Sequence, residues 1–303
     1  MFYFGLIFFK LIGFFLSFFP RSLFLAAGHG LGNILSFCGF RKRVVEENLA
    51  LAFPEKGRGE MQSLTQEIYR ELGTLFLEIF RSFYRFDDLL RRHTDFCGEE
   101  HLRDALAEGK GVFVLSAHLG NWELLTISGP WRFFSSVTMV TKKLKPDWLH
   151  RIIEVTRQLL GVRMAVEPKT MQDILKALRR KEMVGFVMDQ YAGAPVGARV
   201  PFFGKAVGSH TALAALALRT GVPVVPALAI RQKNGRYLVR FDPVLPTLTH
   251  EDTDQAILLN TAAYVRHTEA WIREFPSQWL WIHRRWKGDL SPLPEGKAGE
   301  LLR

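Results

Sequence analysis

Only two cysteines, Cys38 and Cys97, occur among the 303 residues, and they stand in unrelated contexts. A disulfide framework and a CxxC zinc site are both ruled out, and the two thiols read as structural. The sequence contains no HExxH, no G-x-S-x-G and no P-loop, so a zincin helix, a serine-hydrolase elbow and a Walker cradle are excluded. Gly28, Gly30 and Gly32 fall at the wrong spacing for a dinucleotide fingerprint and outside any βαβ unit. There is no internal repeat and no low-complexity linker. With 48% hydrophobic and 23% charged residues, the chain is no disordered tail, collagen-like repeat or coiled coil. Its length and make-up also exclude a small secreted protein and a polytopic transporter.

Basic charge and phenylalanine are plentiful. Forty Lys and Arg against 30 Asp and Glu leave +10, which favours anionic lipid, phosphate, nucleic acid or an acidic protein as partner. No nucleic-acid recognition motif accompanies that charge, so nucleic acid is not expected. Of the 25 phenylalanines many crowd into residues 1–19, MFYFGLIFFKLIGFFLSFF, where Lys10 is the one charge. As a helix this run reaches ~28 Å, about the thickness of a hydrocarbon core. No basic stretch precedes it and no A-x-A site follows, against a cleaved signal peptide. Residues 22–40 are more polar and read as an interfacial or packed helix, closed by Arg41-Lys42-Arg43. The expectation is an N-terminal membrane anchor over 1–40 and one domain over 41–303, the bulk lying on the cytoplasmic side by the positive-inside rule. The alternative is a helical pair packed inside a soluble domain.

Beyond residue 45, helical and strand patterns alternate. Apolar positions Leu64, Ile68, Leu72, Leu75, Phe76, Ile79, Phe80 and Phe83 mark a helix over 60–86. Strands are expected at 111–117, 136–141, 163–166, 183–188, 223–230 and 236–242, with helices near 99–108, 121–129, 146–160, 170–181, 209–220 and 253–275. This order predicts an α/β fold with a largely parallel central sheet flanked by helices, and a ligand crevice beyond the carboxyl ends of the strands.

At the end of strand 111–117 stands Ala117-His118-Leu119-Gly120-Asn121-Trp122-Glu123. Gly120-Asn121 reads as a turn with Asn121 as N-cap, which puts Glu123 in the first helical turn. Five positions correspond to ~140° around a regular helix, so His118 and Glu123 meet only if the histidine lies in the turn and the glutamate points back across it. A histidine held by a carboxylate can take a proton from a hydroxyl. The alternatives at this stage are a glutamate that complements the helix dipole and a loop histidine without catalytic work.

HLGNWE resembles the H-x4-D/E signature of glycerolipid-type acyltransferases, in the form typical of the bacterial lipid A (lauroyl/myristoyl) acyltransferase family. Further blocks resemble that family in order: Arg43, Asn48-Leu49 and Phe53-Pro54-Glu55; Gly109-Lys110-Gly111; Asp189-Gln190; Val200-Pro201-Phe202-Phe203-Gly204; Gly221 to Pro226; and Trp281-Ile282-His283-Arg284-Arg285-Trp286-Lys287. The resemblance spans about residues 1–288. It implies a membrane-bound O-acyltransferase at the cytoplasmic face of a bacterial inner membrane. The implied donor is an acyl carrier protein thioester, or acyl-CoA, and the implied acceptor an anionic lipid A precursor. Acylation of a lysophospholipid or a phosphatidylinositol mannoside, and a catalytically silent lipid-binding relative, are the alternatives. No cofactor and no metal are implied.

On this resemblance His118 deprotonates the acceptor hydroxyl and Glu123 orients His118. Asn121, Arg157, Asp189, Gln190, Phe203 and Gly204 are expected to bind substrate, with backbone amides near Gly120 or Phe203-Gly204 as oxyanion donors. Lys142, Lys143, Arg157, Arg163 and Lys205 are candidate phosphate ligands, and Arg157 is ranked first. Lysines stand at 142–143 where relatives often carry arginine. Arg284 and Arg285 among Trp279, Trp281 and Trp286 suit an anionic lipid interface or, equally, aromatic packing.

Overall fold

A computed structural model of the chain describes residues 1–292 and Leu301. The sheet has seven strands: β1 (Thr94–Cys97), β2 (Val112–Ser116), β3 (Val137–Val140), β4 (Val162–Ala165), β5 (Met183–Val187), β8 (Val224–Arg231) and β9 (Tyr237–Phe241), ordered β1-β9-β8-β2-β5-β3-β4. Strands β8, β2, β5, β3 and β4 are parallel neighbours, while β9 runs antiparallel to β8 and carries β1 beside it. The α/β reading with a mostly parallel sheet holds. A separate hairpin, β6 (Gly197–Phe202) and β7 (Lys205–His210), lies outside the sheet.

Helices cover both faces, because strands apolar on both sides must bury both. Leu102 and Ala105 of α5 (Glu99–Ala107) and Leu124, Leu125 and Ile127 of α6 (Trp122–Phe133) cover one face. Ile174 and Ala177 of α8 (Thr170–Arg179) and Leu213, Ala214 and Ala217 of α9 (Ala212–Thr220) cover the other. A third core joins α3 (Lys42–Ala52), the hairpin and α10 (Thr253–Glu274) around Trp271, Trp279, Trp281 and Trp286, each no more than 9% exposed. Of the two options for the C-terminal tryptophans, aromatic packing is therefore the one realised. Arg285 is buried with them and donates to the Gly208 carbonyl and Ser209 Oγ, leaving Arg284 at the surface.

The N-terminal helices α1 (Phe2–Ser17) and α2 (Arg21–Phe37) pack along α4 (Arg58–His93), and α1 also meets α7 (Asp147–Gln158). Gly28 and Gly32 of α2 face Gly73 and Thr74 of α4, and a methyl on Gly32 would run into the Tyr69 carbonyl. The glycines too polar for a span are thus a close helix crossing. Phe9 of α1 packs against Phe80, Phe83 and Trp148. Tyr3, Phe4, Ile7, Phe8, Leu11 and Phe15 are at least half exposed on the opposite face. Among the described residues no single helix is long and apolar enough to cross a membrane. Sixteen residues of α1 reach ~24 Å, short of a ~30 Å core.

Candidate active site

Strands β2 and β5 are paired in parallel with Ser116 opposite Val187. Two residues further along each strand this register brings His118 beside Asp189, across 71 positions of sequence. His118 Nδ1 lies 2.8 Å from Asp189 Oδ1, and the His118 backbone N–H donates to Oδ2 at 3.0 Å. Trp279 Nε1 donates to the same Oδ2 at 2.7 Å. The Asp189 side chain is 3% exposed against 21% for His118. Burial disfavours the Asp189 charge, but His118 and the indole outweigh it and hold the carboxyl below its ordinary range. Burial likewise opposes protonation of His118, yet the Asp189 charge, its hydrogen bond and the nearby Glu123 charge raise the imidazole above its ordinary value of 6.5. An ionised Asp189 fixes Nδ1–H as donor, so Nε2 is the nitrogen left to accept a proton.

The turn after His118 is built by backbone. Gly120 has φ +61° and lies so close to β8 that a methyl would meet the Ala229 carbonyl. Its N–H donates to the Gln278 carbonyl and that of Asn121 to the Ala229 carbonyl, both at 2.9 Å. Asn121 caps α6, its Oδ1 accepting from Leu124 N–H at 2.9 Å.

Several expectations are corrected here. Asp189, not Glu123, holds the His118 ring, because Glu123 sits on α6 facing α7 and is bonded by Arg157 through Nε at 3.2 Å and through Nη2. Glu123 reaches His118 through charge alone. Arg157 is thus ion-paired with Glu123 at the cleft, as Lys143 is with Asp147 and Arg163 with Glu182 at the surface. The Gly120 and Asn121 amides are committed to backbone carbonyls, so they are not open oxyanion donors. Phe203 is 6% exposed, packs against Phe53 and Trp286, and donates its N–H to Glu269 at 2.6 Å. With Gly204 it forms the tip of the β6–β7 hairpin, where geometry turns it toward α10. Gln190 is half-buried beside Asp189.

Glu123 and Arg157 line a cleft between α4, α6 and α7. Its wall is mostly apolar, including Ile79, Phe83, Leu89, Ile127, Ile153 and Leu160, with Arg21, Arg81 and Arg85 at its polar part. A hydroxyl brought to His118 Nε2, an apolar chain in the cleft and cations beside it suit group transfer to or from a lipid.

The site thus holds a histidine–carboxylate pair at the carboxyl ends of parallel strands, next to an apolar cleft, on an α/β scaffold. The chain belongs to the bacterial lipid A biosynthesis acyltransferase family, whose profile matches residues 1–288, and it is an acyltransferase. It is 27% identical over 289 residues to the lipid A biosynthesis lauroyltransferase of Escherichia coli K12, covering 91% of this chain and 88% of that one. The palmitoleoyltransferase of the same organism is 25% identical over 249 residues, 82% of this chain and 79% of the relative. A phosphatidylinositol mannoside acyltransferase of Mycolicibacterium smegmatis is 27% identical over 206 residues, 66% of this chain and 64% of the relative.

Proposed function

We propose that this protein transfers a fatty acyl chain from an acyl carrier protein thioester to a hydroxyl of a lipid A precursor of the Kdo2-lipid IVA type. The observation that carries the reading is His118, with Nδ1 held by a buried carboxylate and Nε2 left to accept a proton, in the same turn as the cleft residues Asn121 and Glu123. His118 Nε2 takes the proton of the acceptor hydroxyl as its oxygen attacks the thioester carbonyl. The C–S bond breaks, and the imidazolium returns the proton to the leaving thiolate. Asp189 keeps the tautomer and stabilises the imidazolium. Glu123 adds negative charge to the same imidazolium and fixes Arg157 at the cleft. No acyl-enzyme is needed.

The exposed row Tyr3, Phe4, Ile7, Phe8, Leu11 and Phe15 supports an α1 lying in the membrane interface rather than through the bilayer; the cytoplasmic face of the inner membrane is the placement that the lipid A acceptor and the carrier-protein donor would require. Acylation of a phosphatidylinositol mannoside is the second reading, carried by the mycobacterial relatives.

Purified protein given acylated carrier protein, a lipid A precursor and a phosphatidylinositol mannoside together decides between them by mass spectrometry. One acyl mass added to the lipid A precursor, and absent with Glu123→Ala, is the expected result. Acylation of the mannoside alone overturns the acceptor and keeps the chemistry, and no transfer to either overturns both.

A further inference from the structure

A second buried carboxylate lies behind the catalytic turn. Glu78, in the middle of α4, has a side chain 1% exposed. Its Oε1 accepts from Arg21 Nη1 at 2.9 Å. Its Oε2 accepts from Arg231 Nη2 at 2.9 Å, Tyr237 Oη at 2.6 Å and Asn121 Nδ2 at 3.2 Å. Burial works against the Glu78 charge, but the two arginines and the tyrosine outweigh it and keep the carboxyl ionised. Arg231 is itself buried and also pairs with Glu71. Arg21, the first residue of α2, donates in addition to the Gly235 carbonyl in the β8–β9 turn.

Leucines of similar volume would stabilise such a place as well or better, since buried ions lose hydration. What ions provide is orientation. The Asn121 side chain has one oxygen, spent on capping α6, and its amide nitrogen is the atom that meets Glu78. Glu78 therefore fixes the rotamer of the residue between His118 and Glu123.

We infer that Glu78 is a positioning residue for acyl transfer, and that through Arg21 the α1–α2 layer completes the active site rather than only tethering it. The inference rests on the acyltransferase reading of His118 and Glu123. Glu78 acts through Asn121, so its loss misplaces the catalytic turn without altering the His118–Asp189 pair.

The test uses full-length Arg21→Gln and Glu78→Gln, with Arg21→Lys as the conservative return and Asn260→Ala as a remote destabilised control. Asn260 is buried on α10 and bonds the Leu248 backbone, far from the catalytic turn in the fold. Each protein is assayed for kcat and KM, thermal midpoint and vesicle flotation, and hydrogen exchange is followed over residues 118–124. Arg21→Gln, which leaves the Glu78–Arg231 pair in place, carries the answer if Glu78→Gln fails to fold. The expected result is a kcat fall of about tenfold or more for both variants, a KM within about twofold for Glu78→Gln, unchanged flotation, faster exchange at 118–124 and recovery of Arg21→Gln with lysine. A kcat loss no larger than that of Asn260→Ala at equal destabilisation, or unchanged exchange at 118–124, overturns the proposal. If the wild type itself transfers no acyl chain, the function reading falls, and the exchange result alone decides whether Glu78 holds the turn.

Discussion

Asp189 and Glu78 are both buried, both ionised and both bonded to the HLGNWE turn, yet their partners make them opposites. Asp189 faces a histidine, whose proton can leave near neutral pH, and an indole, which carries no charge. Glu78 faces two guanidiniums that never deprotonate in this range. The first carboxylate is coupled to proton movement and the second is locked. On the proposed reading one turn is served by a carboxylate for chemistry and another for geometry, and what each is bonded to decides which.

The sharpest break in that comparison is at the chemical side. His118→Ala is expected to abolish acyl transfer with the fold intact, measured as product mass against thermal midpoint. Asp189→Asn is expected to lower kcat by roughly 10²–10⁴-fold, since the tautomer is no longer fixed. The pH profile gives an independent readout. A general base works unprotonated, so wild-type activity rises with pH through a midpoint above 6.5, the direction Asp189 imposes on His118. In Asp189→Asn the carboxylate charge is gone and burial remains, so the acid limb moves to lower pH. An acid limb that stays in place removes Asp189 as the partner of the titrating group.

Next in size is the turn itself. Gly120→Ala meets both a positive φ and the Ala229 carbonyl, and is expected to cost roughly 2–5 kcal/mol, read by denaturant unfolding. A variant as stable as wild type shows that the turn relaxes away from β8. A smaller effect is expected for Trp279→Phe, which keeps the ring in the aromatic core and removes one of three donors to Asp189. Its kcat is expected to fall about three- to tenfold, in line with one charge-assisted hydrogen bond, while the Glu78 variants leave the acid limb where it was.

The chain order of strands and the place of His118 at the end of one were legible in local pattern, because β2, β5 and β8 are continuous apolar runs ended by turn residues. The partner of His118 was not. The HLGNWE spacing draws attention to Glu123, whereas the partner comes from a strand 71 residues away, and only the adjacency of β2 and β5 places it. Asp189 ending strand 183–188 was the available signal. Glu78 left a fainter one, as a charge set between Leu75, Phe76, Ile79 and Phe80 in an otherwise apolar helical stripe. Such a residue is either paired or very costly, and its pairs lie on α2, β8 and β9, which no local window joins. The packing of the N-terminal helices was hidden for a similar reason. Phenylalanine content shows that α1 is apolar, but Phe9 and the glycines decide which face α4 and α7 already cover. The short β1 and the β6–β7 hairpin carried too little periodicity to be seen.

The smallest effect belongs to a third carboxylate, which tests whether burial rather than bonding sets the contrast. Asp95 is bonded by Arg236 through Nε at 2.8 Å and Nη2 at 2.6 Å, a better fork than either buried carboxylate receives from one partner. Its side chain is 52% exposed. Hydrogen bonding to Arg236 lowers the Asp95 pKa, yet water solvates both groups equally well when they are apart. Arg236→Ala is therefore expected to move the thermal midpoint by no more than about 2 °C and to leave kcat unchanged, because the Arg236 side chain bonds Asp95 and the Arg92 carbonyl, away from Glu78 and the HLGNWE turn. A loss comparable to that of the Glu78 variants would mean that arginine–carboxylate geometry stabilises this protein wherever it occurs. The distinction between a locked interior carboxylate and an ordinary surface pair would then have no energetic basis here.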